Sequence, residues 1–118
     1  MTTEKKIISN SETYKIYSEF AINKKIILHH GDSLKFLKTV PNNSINLIVT
    51  SPPYNIGKKY EEKEPLEVYL KKQEIIIKEL YSKLKSEGSV CWEVGNYVNK
   101  GEIYPLDIYF YEIFKNLG

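Results

Sequence analysis

The stretch INLIVTSPPYNIG, Ile45 to Gly57, decides how the rest of the chain is read. Ile45–Thr50 is largely apolar and β-branched, the composition of a buried strand. It runs directly into Ser51-Pro52-Pro53-Tyr54. Two consecutive prolines lock two φ angles, hold the residues before them extended and remove two backbone donors. The turn therefore presents mainly carbonyl oxygens, with a hydroxyl before them and an aromatic face after. A rigid, acceptor-rich notch with a stacking platform suits a planar group that carries an exocyclic amine. The bare alternative is a strand terminator.

Upstream, Lys25–His29 reads as a strand closed by Gly31-Asp32, Ser33–Val40 as a short helix, and Pro41-Asn42-Asn43-Ser44 as a turn. Residues 1–24 read as an N-terminal arm or a short helix, because Ser9-Asn10-Ser11-Glu12 has capping-box spacing and Tyr14, Tyr17 and Phe20 make an apolar stripe. Downstream, residues 57–64 are polar without periodicity and read as a mobile surface loop. Pro65 then opens the clearest helix, Leu66–Lys85, with Leu66, Tyr69, Leu70, Ile76, Ile77, Leu80 and Leu84 at helical spacing. Its Glu67–Lys71, Glu74–Lys78 and Glu79–Lys83 pairs stand in the favourable order on a solvated face. Gly88 is expected to stop that helix, Ser89–Val94 to form a third strand, and Pro105 to open a last helix through Leu117 with Gly118 as its C-cap. Strands alternating with helices imply an α/β fold, a parallel sheet with flanking helices and βαβ crossovers. Gly31-Asp32, Ser51–Tyr54 and Gly95-Asn96 all follow strand ends, so they are expected on one edge of that sheet, where such folds bind ligands.

Composition excludes several classes. The apolar runs are far too short to cross a bilayer, and the polar N-terminus lacks the apolar core of a secretory signal, so a cytoplasmic location with no membrane partner is the expectation. A single cysteine, Cys91, makes neither an intrachain disulfide nor a multi-cysteine zinc site, and no metal-ligand cluster is evident. The net charge of +2 is a weak argument for nucleic acid, and every one of the 17 basic residues is lysine. Arginine is the commonest reader of guanine edges, so sequence-reading residues are expected outside this segment.

With the notch and its surroundings in place, GDSLKFLKTVPNNSINLIVTSPPYNIGKKY resembles the catalytic region of the amino-methylating DNA methyltransferases, which modify N4 of cytosine or N6 of adenine. Their motif is [Ser/Asp/Asn]-Pro-Pro-[Tyr/Phe] at a strand end, often preceded by a Gly-Asp turn and a short helix. The resemblance runs from about Ile26 to Gly57 and more loosely through Ser89–Tyr97. It implies a partial Rossmann-like methyltransferase fold, S-adenosylmethionine as cofactor, double-stranded DNA as substrate and a cognate restriction endonuclease as functional partner. A flipped base would stack on Tyr54, its amine bonded to the Ser51 hydroxyl and the Pro52 carbonyl, with Pro53 completing the motif. Direct transfer of this kind uses no cysteine nucleophile and no metal. Serine at the first position leans toward N4-cytosine over N6-adenine.

Weaker assignments follow. Asp32 is a candidate cofactor ligand, with capping of the following helix as the competing role; Asn96 is a second, with Tyr97 beside it. Lys58 and Lys59 are candidates for DNA phosphates. His29 and His30 point to opposite faces of a strand and make no pair; Trp92 reads as core and Glu93 as pocket rim. The Gly-rich cofactor motif of the family is missing, since no two of the six glycines lie within two positions of each other. Residues 25–118 are therefore expected to be the catalytic part of a permuted enzyme, truncated before its recognition region and cofactor motif, with a dimer or a complementing C-terminal half as candidate partner. A non-catalytic remnant or interaction module, or a methyltransferase of RNA or of a protein amide, are the alternatives.

Overall fold

The computed structural model describes residues 6–9, 12–59 and 61–118. Contacts divide the chain into two compact units, Met1–Pro41 and Asn42–Gly118. In the first, β1 (Lys6–Ser9) and β2 (Glu12–Tyr17) pair antiparallel, with Ile7 opposite Tyr14 and Ile8 opposite Thr13. The helical stripe expected around Tyr14 and Tyr17 is thus a strand: β-branched and aromatic residues here find a pairing partner, which outweighs a capping signal. Asn10 and Ser11 of that signal lie outside the described residues. Only Ile26–Ile27 of the expected strand 25–29 is extended and paired; this β3 runs parallel to β2, with Leu28 N–H bonded to the Tyr17 carbonyl at 2.8 Å. The helix after it, α1 (Ser33–Leu37), is shorter than expected, buries Leu37, and gives way to turns that bury Val40.

The second unit is built on β4 (Ile45–Thr50), α2 (Leu66–Lys83) and β5 (Leu84–Trp92), with β5 parallel to β4. This is the expected βαβ unit. The Asn42–Ser44 turn is fastened to the end of α2: Asn43 and Ser44 donate to the carbonyls of Ser82 and Lys83 at 3.1 and 2.9 Å. Lys83, buried, bonds Asn42 Oδ1 at 2.7 Å and pairs with Glu79 at 2.9 Å. The helix ends earlier than its apolar period implied, because Leu84 already has extended geometry (φ −71°, ψ 138°) and pairs with Ile45. Gly88 does not stop a helix; it lies in a wide irregularity where two steps along β4 match five along β5. A Cβ at Gly88 would sit 2.7 Å from Leu84 Cγ, so the glycine permits the chain to fold back on that side chain.

An antiparallel hairpin of β6 (Asn96–Asn99) and β7 (Glu102–Pro105) follows, and then α3 (Leu106–Leu117) with Gly118 at its C-cap. The sequence reading placed no strands there. Tyr69 and Ile77 of α2, Tyr97 of β6, and Leu106 and Phe110 of α3 form the core, with Trp92 packed on it. Tyr69 meets Phe110 edge-on at 6.1 Å, and Trp92 lies 5.6 and 5.7 Å from Phe110 and Phe114. Ile77 and Leu106 have no exposed surface, and full burial of such a side chain contributes about 1.5–3 kcal/mol. The α/β expectation is met in its coarse form. The single parallel sheet is not: β3 takes its hydrogen bonds from β2, and the described strands form three small sheets. No helix among the described residues is long and apolar enough to cross a membrane.

Candidate active site

β4 ends at Thr50, whose carbonyl still accepts from Glu93 N–H at 2.9 Å, so the chains leaving β4 and β5 start side by side. From one comes Ser51-Pro52-Pro53-Tyr54, from the other Gly95-Asn96. Ser51 is exposed, and its hydroxyl shares a hydrogen bond with the Tyr54 phenol at 2.6 Å. Pro52 is buried, Pro53 is exposed and Tyr54 is half-buried. The Tyr54 ring lies over Gly95, where an added Cβ would be 3.2 Å from Cδ2. Tyr69, reaching from α2, donates its hydroxyl to the Pro53 carbonyl at 2.5 Å. Burial raises the Tyr69 pKa well above the phenol range, helped by the negative charge of Glu61, so this donor stays protonated.

The segment after the motif is clasped, against the expectation of a mobile loop. Asn55 is 2% exposed and adopts φ 59°, a left-handed conformation that asparagine tolerates. Its side-chain amide donates to the Glu64 carbonyl and accepts from Glu64 N–H, both at 2.7 Å. The Glu61 carboxylate accepts from Asn55 N–H at 3.0 Å and Ile56 N–H at 2.9 Å, with Lys58 N–H at 3.5 Å. Burial alone would raise the Glu61 pKa, but the N–H groups of Ile56, Asn55, Lys58 and Gly57 outweigh it and hold the carboxyl below its ordinary 4.5. Lys63 bonds the Val98 carbonyl at 2.6 Å and lies 5.1 Å from the Tyr97 ring, tying the loop to the hairpin. Polar composition concealed this, since the loop is held by hydrogen bonds and not by apolar burial.

The remaining candidates are placed as follows. Lys58 and Lys59 are exposed on the clasped loop. Asn96 is exposed at the start of β6, opposite Pro105, while Tyr97 is buried core. Asp32 belongs to the other unit, where its Oδ1 accepts from Lys35 N–H at 2.8 Å as the N-cap of α1. It also lines a cavity of about 580 Å³ with Phe20, His29, Gly31, Lys35 and Phe36. His29 stacks on Phe36 at 4.7 Å and its Nδ1 lies 3.2 Å from the Ser18 carbonyl. Tyr69, Asn55 and Glu61, which surround the motif and its loop, were not among the candidates, while Gly95 was named only for its place on the strand edge beside Asn96. Tyr69 carried no signal beyond its buried helical position, whereas Gly95 at a strand end was a visible one.

Comparison with known proteins places the chain among relatives of one family. The model of the DNA methylase family, the N6/N4 methyltransferases, matches residues 45–117. The type II methyltransferase M.BglII of Bacillus subtilis is 49% identical over 92 residues, 77% of this chain and 26% of that protein. The DNA adenine methyltransferase YhdJ of Escherichia coli (strain K12) is 36% identical over 76 residues, 62% of this chain and 26% of that one. Among solved structures, the PvuII DNA methyltransferase (cytosine-N4-specific) aligns with a TM-score of 0.57 and 30% identity, over 75% of this chain and 32% of the other. The chain thus spans about a quarter to a third of the length of these relatives. With the family model covering β4 through α3, and the Ser-Pro-Pro-Tyr notch at the end of a strand inside that match, the chain belongs to the DNA methylase family of amino-methylating enzymes.

Proposed function

We propose that the Ser51–Tyr54 notch binds the exocyclic amino group of a base flipped from double-stranded DNA and positions it for methylation, as part of a restriction-modification system. The observation that carries this reading is the pair of acceptors at the end of β4. The Ser51 hydroxyl is exposed, and among the described residues the Pro52 carbonyl has no protein partner. In a free base the amine lone pair is delocalised into the ring. Donating its two N–H bonds to Ser51 Oγ and to the Pro52 carbonyl holds the nitrogen in the geometry in which that lone pair is directed outward. The entering amine takes the place of the Tyr54 phenol as the partner of Ser51, and the Tyr54 ring, backed by Gly95, stacks on the base. Fixed acceptors of this kind act through orientation and preorganised electrostatics. The half-burial of Tyr54 supports an enzyme over a module that displays the turn as a ligand.

S-adenosylmethionine, when bound, supplies an activated methyl group. The cavity of the first unit fits a nucleoside in chemistry: aromatic walls from Phe20 and the His29–Phe36 stack, and the Asp32 carboxylate as acceptor. Asp32 is assigned there alongside its capping role, and Asn96 is the second candidate cofactor residue. The parallel β4–β5 pair is read as part of a Rossmann-like sheet. Serine at the first motif position favours N4-cytosine as target, the specificity named for the PvuII enzyme, over N6-adenine, named for YhdJ.

The test is transfer of labelled methyl groups from S-adenosylmethionine to unmethylated DNA, followed by nucleoside chromatography. Ser51→Ala and Tyr54→Ala are expected to lower transfer by about 10²–10³-fold, the usual effect of deleting one preorganised catalytic group, with unchanged circular dichroism. Near-normal transfer by both variants would overturn the assignment. N6-methyladenine as product would retain the site and reverse the choice of base.

A further inference from the structure

The two proline carbonyls of the motif are not equivalent. The Pro53 carbonyl is held from inside the protein by the Tyr69 hydroxyl at 2.5 Å, whereas that of Pro52 has no partner among the described residues. Ring closure locks φ of Pro53, so a single soft angle, ψ of Pro53, separates the two carbonyl directions. A hydrogen bond that anchors the Pro53 carbonyl therefore also aims the Pro52 carbonyl. Tyr69 is itself packed in the core: it is 4% exposed and its ring meets Phe110 edge-on. On the other side of the notch, the Tyr54 ring rests close on Gly95: an added Cβ would lie 3.2, 3.5 and 3.6 Å from its atoms, so the ring would have to shift by a few tenths of an ångström. Gly95 is absent from the residues with positive φ, so close approach of the ring, and not backbone conformation, is what favours a glycine there.

We infer that Tyr69 and Gly95 are positioning residues of the notch, Tyr69 setting the direction of the Pro52 acceptor and Gly95 the plane of the stacking ring. This rests on the amino-methylation reading above. The ring of Tyr69 belongs to the core, but its hydroxyl is separable from that duty, because phenylalanine keeps the contact with Phe110 and removes only the bond to Pro53. Tyr104→Phe is the matched control: it deletes a hydroxyl bonded to Glu102 at 2.6 Å on β7, outside the notch.

The experiment compares Tyr69→Phe, Gly95→Ala, Tyr104→Phe and Ser51→Ala in the protein by two measurements. In methyl transfer, Tyr69→Phe is expected to lower kcat by about tenfold with KM for S-adenosylmethionine unchanged, a misaimed acceptor and not lost binding. Gly95→Ala is expected to lower kcat and raise KM for DNA, and Tyr104→Phe to change neither. The second measurement needs no turnover. In the carbonyl ¹³C spectrum, Tyr69→Phe is expected to shift both the Pro53 and the Pro52 resonances. A shift of Pro53 alone would overturn the coupling between the two carbonyls. Normal kcat in Tyr69→Phe beside an inactive Ser51→Ala would overturn the positioning role while leaving the notch assignment intact. An active Ser51→Ala would instead remove the reading on which both stand. Equal losses in Tyr69→Phe and Tyr104→Phe would assign the effect to packing and overturn the inference.

Discussion

At the scale of single residues, the notch is defined by what its polar atoms are already bonded to. Ser51 and Tyr54 satisfy each other, Tyr69 satisfies Pro53, and the loop beyond is held by the Glu61 carboxylate, the Asn55 side-chain amide and Lys63. Glu61 gives this a pH signature. Its folded pKa is depressed, so the clasp contributes stability above the ordinary carboxylate value of 4.5 and loses it as pH falls through the lower, folded value. The Asn55 and Ile56 amide resonances are therefore expected to titrate together with a midpoint below 4.5, and Glu61→Gln to abolish that transition. A midpoint at or above 4.5 would show that the carboxylate is not held by these N–H groups. The Ser-Pro-Pro-Tyr residues were legible in the sequence because prolines constrain their own backbone. The partners were not: Tyr69 reaches Pro53 from sixteen residues away, and the Glu61 carboxylate holds the N–H groups of Asn55 and Ile56 just beyond the motif through a loop with no apolar pattern.

At the scale of elements, α2, α3 and β4 were read more accurately than α1, β2 and β5. The apolar period of α2 and the Pro105 and Gly118 boundaries of α3 are local signals, and the structure follows them to within two residues. Ile77, with no exposed surface between α2 and the core, is the position where that period carries most energy. Ile77→Ala is expected to cost about 2–5 kcal/mol, the range for large-to-small substitution in a packed core, measured as a shift in the urea midpoint with unchanged slope. A cost below about 1 kcal/mol would mean that α2 is not packed as described. The β6–β7 hairpin was missed because Lys100-Gly101 is not one of the usual Asn-Gly or Asp-Gly turn pairs, although both residues adopt the positive φ, 50° and 81°, that two-residue turns matching strand twist require. β2 and β5 were misjudged because a strand's identity depends on its partner, and the partner of Leu84 lies 39 residues away at Ile45.

At the scale of the whole molecule, a charge of +2 with no arginine leaves little general attraction for DNA, so individual lysines near the notch carry more weight. Lys59 is exposed on the clasped loop. Lys59→Ala is expected to weaken DNA binding equally for all sequences and to reduce the salt dependence of log K by about 1; an unchanged slope in a filter-binding titration would remove it from the interface. By itself the sequence determined β4, α2 and the position of the proline turn between them, and through them the family, since each rests on residues adjacent in the chain. Only the tertiary structure decided that β3 pairs with β2, that the loop after the motif is clasped, and that Tyr69 and Gly95 back the notch. Strand pairing, buried hydrogen bonds and ring packing are contacts between residues distant in sequence. Their free energy appears only once the chain has brought those residues together.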